Sequence, residues 1–253
     1  MSRRIDFNCD LGEGCGDDAA ILPLVSSANI ACGGHAGDDA TMRATLRLCR
    51  AHGVAAGAHP SFDDREHFGR RALTVPPADI ARTVRAQIER LATIASKEGV
   101  RLTHVKPHGA LYNVAADDRG VADAIAAVVK DFDPSLVLFG LSGSALTDAG
   151  SAHGLQVAHE VFAERGYDRR GRLLPRGSEG AVIESLDVAI AQVRRLATRG
   201  EVVADDGSIV ALRADTLCLH GDRSDAAVFA QAVREALQAD GIVVASVTAK
   251  GLP

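Results

Sequence analysis

Apolar residues recur along this chain in short runs, and between the runs they return at the three- and four-residue spacing of a helix face. The runs predict strands over 5–9, 28–32, 54–58, 102–106, 136–140, 155–159 and 217–220, with a further run at 242–247. Helices are predicted over 39–52, 78–98, 120–130, 143–152, 180–199 and 225–239. The clearest helix follows Pro76-Pro77, sets Ile80, Val84, Ile88, Leu91 and Ile94 on one stripe, and stops at Gly99. Proline fits a first helical turn, whose N–H groups have no partner inside the helix, and glycine accepts the left-handed conformation that ends one. Short strands separated by helices require parallel crossovers, so the pattern predicts an α/β sheet or barrel with helices outside. No linker-like stretch divides the chain and no repeat is visible, so one domain over 1–253 is expected.

In a parallel barrel the ligand chemistry collects at the carboxyl ends of the strands. The first strand runs into Asn8, Asp10 and Glu13, the second into His35 and Asp38, and the third into His59, Pro60 and Ser61. The fourth leads to Lys106, Pro107, His108, Tyr112 and Asn113, the sixth to His159, Glu160, Glu164 and Arg165, and the seventh to His220, Gly221 and Asp222. Only the fifth ends blandly, in Gly140-Leu141-Ser142-Gly143. Acids, imidazoles and an ammonium gathered at one end are more than chance surface polarity supplies.

Composition narrows what that end does. With 47% hydrophobic and 24% charged residues the chain is globular, and its net charge of -5 argues against nucleic acid or an anionic membrane as partner. No apolar run is long enough to span a bilayer and no leader pattern opens the sequence, so a cytoplasmic protein is expected. Five cysteines without a C-x-x-C pair exclude a zinc ribbon and disfavour a disulfide scaffold. Cys32, before Gly33-Gly34-His35, reads as a small buried hydrophobe or as a nucleophile.

No P-loop and no G-x-G-x-x-G fingerprint is present; Gly12-Glu13-Gly14-Cys15-Gly16 reads as a tight turn or as a backbone nest for an anion. Lys106, ending an apolar strand before Pro107, is either a snorkelling lysine or a directed point charge for phosphate. The histidines at 35, 59, 108 and 220 are structural imidazoles or, with Asp10, Glu13 and Asp222, ligands of a divalent metal. The stretch 164–176 carries five arginines among glycines, a solvated loop or a lid for phosphate, with Arg165 nearest the strand.

Several strings are long enough to name a likeness. Asn8-Cys9-Asp10-Leu11-Gly12-Glu13-Gly14, Ser27-Ala28-Asn29-Ile30-Ala31-Cys32-Gly33-Gly34-His35-Ala36-Gly37-Asp38 and Gly57-Ala58-His59-Pro60-Ser61 closely resemble the LamB/YcsF family. So do Val105-Lys106-Pro107-His108-Gly109-Ala110-Leu111-Tyr112-Asn113, Glu160-Val161-Phe162-Ala163-Glu164-Arg165-Gly166-Tyr167 and His220-Gly221-Asp222. The resemblance runs in order from residue 5 to about residue 247; Glu164 where the family usually has Asp, Gly34 where Phe is common and Asp39 where Pro often follows are departures from it. It implies a distorted seven-stranded (β/α) barrel of the glycoside hydrolase/deacetylase type, with 242–247 demoted to an edge or closing element. It also implies ATP-dependent opening of 5-oxo-L-proline (pyroglutamate) to L-glutamate through a phosphorylated lactam, with partner subunits B and C.

On that reading, Lys106 and Arg165 meet phosphate charge and Mg²⁺ is held through Asp10 or Glu13. Asp10, His59, Glu160 or Asp222 is the base, and Asn8, Asn29, His108 and Tyr112 orient the substrate, with His35 and His220 beside them. Two other classes stay open: a metal-dependent deacetylase or amidohydrolase, and a substrate-binding subunit without chemistry of its own.

Overall fold

The structure, a computed structural model, describes residues 3–222 and 225–247. Its elements are β1 (Arg4–Leu11), α1 (Asp18–Ile21), β2 (Ser27–Ala31), α2 (Asp39–His52), β3 (Ala55–His59), α3 (Pro77–Lys97), β4 (Leu102–Val105), α4 (Gly109–Asp117) and α5 (Arg119–Phe132). They continue with β5 (Val137–Leu141), α6 (Ala145–Ala152), β6 (Gln156–Phe162), α7 (Leu186–Arg199), β7 (Glu201–Val203), β8 (Ile209–Ala211), β9 (Thr216–His220), α8 (Ala226–Ala239) and β10 (Val243–Val244).

Strands β1 to β6 and β9 pair in parallel in that order, and β9 returns to β1, closing a seven-stranded barrel. These are the seven predicted strands. The eighth run contributes only β10, an edge pair in which Arg4 meets Val243 and Ile5 meets Val244. The barrel is distorted where β3 meets β4: the register slips between Ala56 and Gly57, and β4 shares only His104↔Val137 and Val105↔Leu138 with β5.

Local chemistry sets the helices. Asp38 caps α2 by accepting from Ala40 and Thr41 N–H groups while the Thr41 hydroxyl returns a bond to the cap, and Gly53 ends it at φ 67°. In α3 the predicted stripe Ile80, Val84, Ile88, Leu91 and Ile94 is the buried face.

The lumen is unusual for a barrel. Along β1, Phe7, Cys9 and Leu11 alternate with Asp6, Asn8 and Asp10, so one face packs under the helices while the other points three polar side chains inward. Opposite them, Val137, Phe139 and Ala158 form a separate small apolar cluster with Val247.

Several boundaries differ from expectation. Strand β1 runs two residues further and β6 three, so Asp10 and Glu160 are strand positions rather than loop positions. Helix α7 starts at Leu186, capped by Ser185, because the preceding residues join a bridge between Arg165 and Val182. Helix α4 and the β7–β8 hairpin, turned at Asp206-Gly207, were not predicted. Among the described residues no helix is long and apolar enough to cross a membrane.

Candidate active site

The inward faces of β1, β2, β4, β6 and β9 build one hydrogen-bonded ladder up the barrel. At its foot Asp6 accepts from Ser26 and Ser27, both at 2.6 Å, and from Thr216. One rung higher, Asn8 Nδ2 donates to Glu160 Oε1 at 2.9 Å and to Thr216 Oγ1 at 2.7 Å. Asn29 Nδ2 donates to Asn8 Oδ1 at 2.7 Å and Asp10 Oδ1 at 2.8 Å, and its own Oδ1 accepts from His104 Nε2 at 2.8 Å. Burial, reinforced by the charge of Lys106, lowers the His104 imidazole to about 3, so it stands there neutral. Buried amides and acids are tolerated because nearly every donor finds an acceptor.

At the top of the ladder Lys106 Nζ, 2% exposed, lies 2.8 Å from Asp10 Oδ1, 3.0 Å from Glu160 Oε1 and 3.0 Å from Cys218 Sγ. Burial disfavours its charge, but Asp10, with Cys218 and Glu160 behind it, outweighs burial and holds the ammonium well above the ordinary lysine value. Burial likewise works against the Asp10 carboxylate. His59 and Lys106, then His220, overcome it and hold Asp10 well below the usual carboxylate range. Asp10 Oδ1 is taken by Lys106 and Asn29, while Oδ2 faces His59 Nε2 at 3.3 Å and His220 Nε2 at 4.0 Å.

Beside this pair, imidazoles from the end of β3 and from the loops after β2 and β4 meet. His35 and His108 stack with ring centroids 3.6 Å apart, and His59 stands edge-on to both. Glu13 Oε1 lies 3.0 Å from His35 Nε2 and 3.5 Å from His108 Nδ1. Burial, then the charges of Asp10 and Asp222, push the Glu13 carboxyl well above its ordinary value. Burial and the proximity of His59 lower His35 to about 2 and hold His108 well below the histidine range.

These groups open into a cavity of ≈ 550 Å³ whose wall includes Asp10, His59, Lys106, His108, Tyr112, Phe162, Arg165 and His220, with Arg70 and Arg176 also lining it. A larger groove of ≈ 1210 Å³ runs along α7 and β7, but none of the predicted site residues lines it, so the acids and imidazoles mark the smaller cavity as the site.

Of the predicted residues, Asn8, Asn29 and Glu160 lie in the lumen, and Glu13 and His35 lie beside the floor. Asp222 stands apart on the rim, paired with Arg70. Arg165, expected at phosphate, is 4% exposed and directs Nε to the Ala181 carbonyl and an Nη to that of Leu174, so it fastens the 163–185 loop. Arg172 pins the same loop to Asp117, which leaves Arg176 as the loop arginine with a free approach to the cavity. His159 lies half-buried off the site, where its amide meets Asp215. Cys32 is buried, with its thiol on the Ile30 carbonyl and its pKa pushed up to about 12 by burial, which removes the nucleophile reading.

Two residues of the cavity floor are absent from the expected site set. Cys218 and His104 face inward, and the alternation Thr216-Leu217-Cys218-Leu219-His220 was the available signal for the first. Glu164, expected after the sixth strand without a role, binds His220 Nδ1 through its carboxylate.

Among the described residues two groups could hold a metal ion: Glu13, His35, His59 and His108, and separately Asp10, Cys218 and His220, the ligand atoms within each lying no more than 4.8 Å apart. Asp10 and Glu13 thus fall in different groups, and both groups are richer in nitrogen and sulfur than in the oxygens that Mg²⁺ requires. The residues do not fit Mg²⁺ held by this chain alone.

Comparison with known proteins places this architecture. Residues 5–251 match the model of the LamB/YcsF family. A relative from Bordetella pertussis (strain Tohama I), named as a 5-oxoprolinase subunit, is 52% identical over 249 residues, covering 96% of this chain and 99% of its own. The crystal structure of a lactam utilization protein from Thermus thermophilus superposes with a TM-score of 0.90 at 44% identity, covering 96% of this chain and 100% of that one. A CE4 family pseudoenzyme from Bacillus anthracis, at 10% identity and a TM-score of 0.50 over 97% of this chain and 64% of that one, is alike in fold alone.

Proposed function

Because the chain belongs to the LamB/YcsF family, we propose that its barrel mouth opens the ring of 5-oxo-L-proline to L-glutamate within an ATP-dependent 5-oxoprolinase, alongside partner subunits B and C. The observation that carries this reading is the Asp10 carboxylate at the floor of a small cavity, its Oδ1 on Lys106 and its Oδ2 facing His59, which together hold it ionised.

A carboxylate held below its usual range is a weak base. It is too weak to drive water onto an unactivated lactam, whose carbonyl carbon is electron-rich. Phosphorylation of the lactam oxygen by ATP changes that, because the ring carbon then becomes an imidoyl centre that water attacks readily. Asp10 Oδ2 accepts one proton of the incoming water while the ring nitrogen takes a proton from the His220–Glu164 pair; the tetrahedral hydroxyl then gives its proton to the nitrogen, which leaves as the amine as the C–N bond breaks. A second water converts the resulting acyl phosphate to glutamate and phosphate. The apolar wall of Ala110, Val114 and Phe162 suits the ring, while Arg70 and Arg176 suit its carboxylate and the phosphoryl group. With no phosphate-cradling loop motif in this chain, the bulk of ATP and its Mg²⁺ are assigned to the partner side of the mouth.

The test is reconstitution with the partner subunits and measurement of 5-oxoproline-dependent ADP and glutamate. Asp10→Asn should lower glutamate formation on the order of 10²–10⁴-fold. Wild-type turnover by that variant in a correctly assembled complex would assign the chemistry to a different chain.

A further inference from the structure

We propose that Glu13, His59 and His108 form a binding site for one divalent transition-metal ion of the zinc or cobalt kind, at the side of the cavity floor. The inference comes from where the ring protons must be. His59 Nδ1 lies 2.7 Å from the Lys106 carbonyl, and His108 Nε2 lies 3.0 Å from the Phe68 carbonyl. A carbonyl oxygen only accepts, so each of these nitrogens carries the hydrogen, and in a neutral ring the other nitrogen then bears a lone pair. Those other nitrogens, His59 Nε2 and His108 Nδ1, face one another at 2.9 Å. In the metal-free chain one proton relieves the repulsion: carried on His59 Nε2 and donated to His108 Nδ1, it makes His59 the cation that faces Asp10; a divalent ion binds in place of that proton.

The third side of the same space is a carboxylate oxygen, Glu13 Oε1, 3.5 Å from His108 Nδ1. Three acceptors therefore converge in a buried place. The far nitrogens of both rings are anchored to backbone carbonyls, as outer contacts anchor the imidazoles of metal sites. His35 supports the set from outside. Its ring lies within 1° of parallel to that of His108, so an ion in the plane of one ring lies well off the plane of the other, and its Nε2 instead reaches Glu13 Oε1 at 3.0 Å. Local charge favours a cation as well: Asp10, Glu160 and Glu164 are buried around this floor with Lys106 and Arg165, an excess of acid. Two imidazoles and one carboxylate match zinc-like ions and leave a position open for water or a carbonyl oxygen, which such an ion would polarise. The site stands on these contacts and not on the identity of the substrate.

The experiment uses the full chain, stripped with chelator and checked by thermal melting to be folded, then titrated with CoCl₂ while visible absorption is followed. One Co²⁺ per chain, with a d–d band that added Zn²⁺ displaces, is expected. Glu13→Gln and His108→Gln should each lose the band, and Asp222→Asn should keep it. A folded chain that develops no band overturns the proposal and leaves a proton shared between His59 and His108. A sulfur-to-cobalt charge-transfer band that disappears in Cys218→Ala also overturns it, by placing the ion on the other group. All of these readouts are independent of turnover, so failure of the lactam reading leaves them interpretable.

Discussion

Replacing Lys106 with Met tests the electrostatic logic of the floor directly. The ammonium is 2% exposed and sits 2.8 Å from Asp10 Oδ1 and 3.0 Å from Glu160 Oε1. Methionine nearly matches its volume, so packing survives while two buried carboxylates lose their common counter-charge. Breaking a buried ion pair by removing one partner costs about 3–5 kcal/mol, because the remaining charge stays desolvated without compensation. For a chain of this size that corresponds to a melting-temperature drop of roughly 6–20 °C. Adding Glu160→Gln relieves one of the two charges, and the amide oxygen can still accept from Asn8 Nδ2, which donates to Glu160 Oε1 at 2.9 Å. The double variant should therefore recover more than half of the lost stability without recovering activity. The assay is thermal and urea denaturation of the two single variants and the double one, read as a cycle. Lys106→Met melting within about 2 °C of wild type would refute the reasoning, as would Glu160→Gln causing a further loss in the Lys106→Met background.

Two further substitutions probe the lumen. In Gly57→Ala the new Cβ would stand 2.2 Å from His104 Cδ2, against a ring already stacked on Phe139 and bonded to Asn29, so a loss of about 1–3 kcal/mol is expected in urea denaturation; an unchanged midpoint would mean that His104 is free to move. Asp6 is raised from its ordinary 3.8 by burial, against the bonds from Ser26, Ser27 and Thr216. Its contribution is thus fully present below about pH 4 and is lost as the pH rises through the folded-state value. Wild type should lose stability relative to Asp6→Asn between pH 4 and neutrality, and a difference independent of pH in that window would contradict the assignment.

Much of the barrel is legible from the chain alone, because each barrel strand is a short apolar run and the long helices carry an apolar stripe, several behind an Asp or Ser cap. What escapes is the inward face of the strands. Asp6, Asn8 and Asp10 alternate with Phe7, Cys9 and Leu11, which is the period of a strand with two unlike faces. A polar residue in a lumen nevertheless reads as a strand end when only apolar runs are counted, and the same bias stopped β6 before Glu160. The arginine loop shows a different limit. Five arginines announce charge, but which of them meets solvent, a loop carbonyl or the cavity depends on contacts with α4 and α7 that no local pattern encodes.

On the proposed reaction, the placement of charge also orients the substrate. The floor holds Asp10 and Glu160 around one ammonium, and Glu164 occupies His220 at the side. Arg165, the other buried cation, turns its guanidinium to loop carbonyls, and burial, with Arg176 near it, lowers it to about 10. The floor therefore presents an acidic surface to whatever enters, while Arg70 and Arg176 line the same cavity. A phosphorylated lactam carries its negative charge on the phosphoryl group and the ring carboxylate. Coulomb repulsion from the floor and attraction to the arginines turn both groups toward the arginines and leave the ring carbon facing Asp10. A neutral lactam feels this field only through its carboxylate, so the field that positions the activated species discriminates against the unactivated one. On that reading, selectivity for the phosphorylated form follows from the sign of charge at the two faces of the cavity.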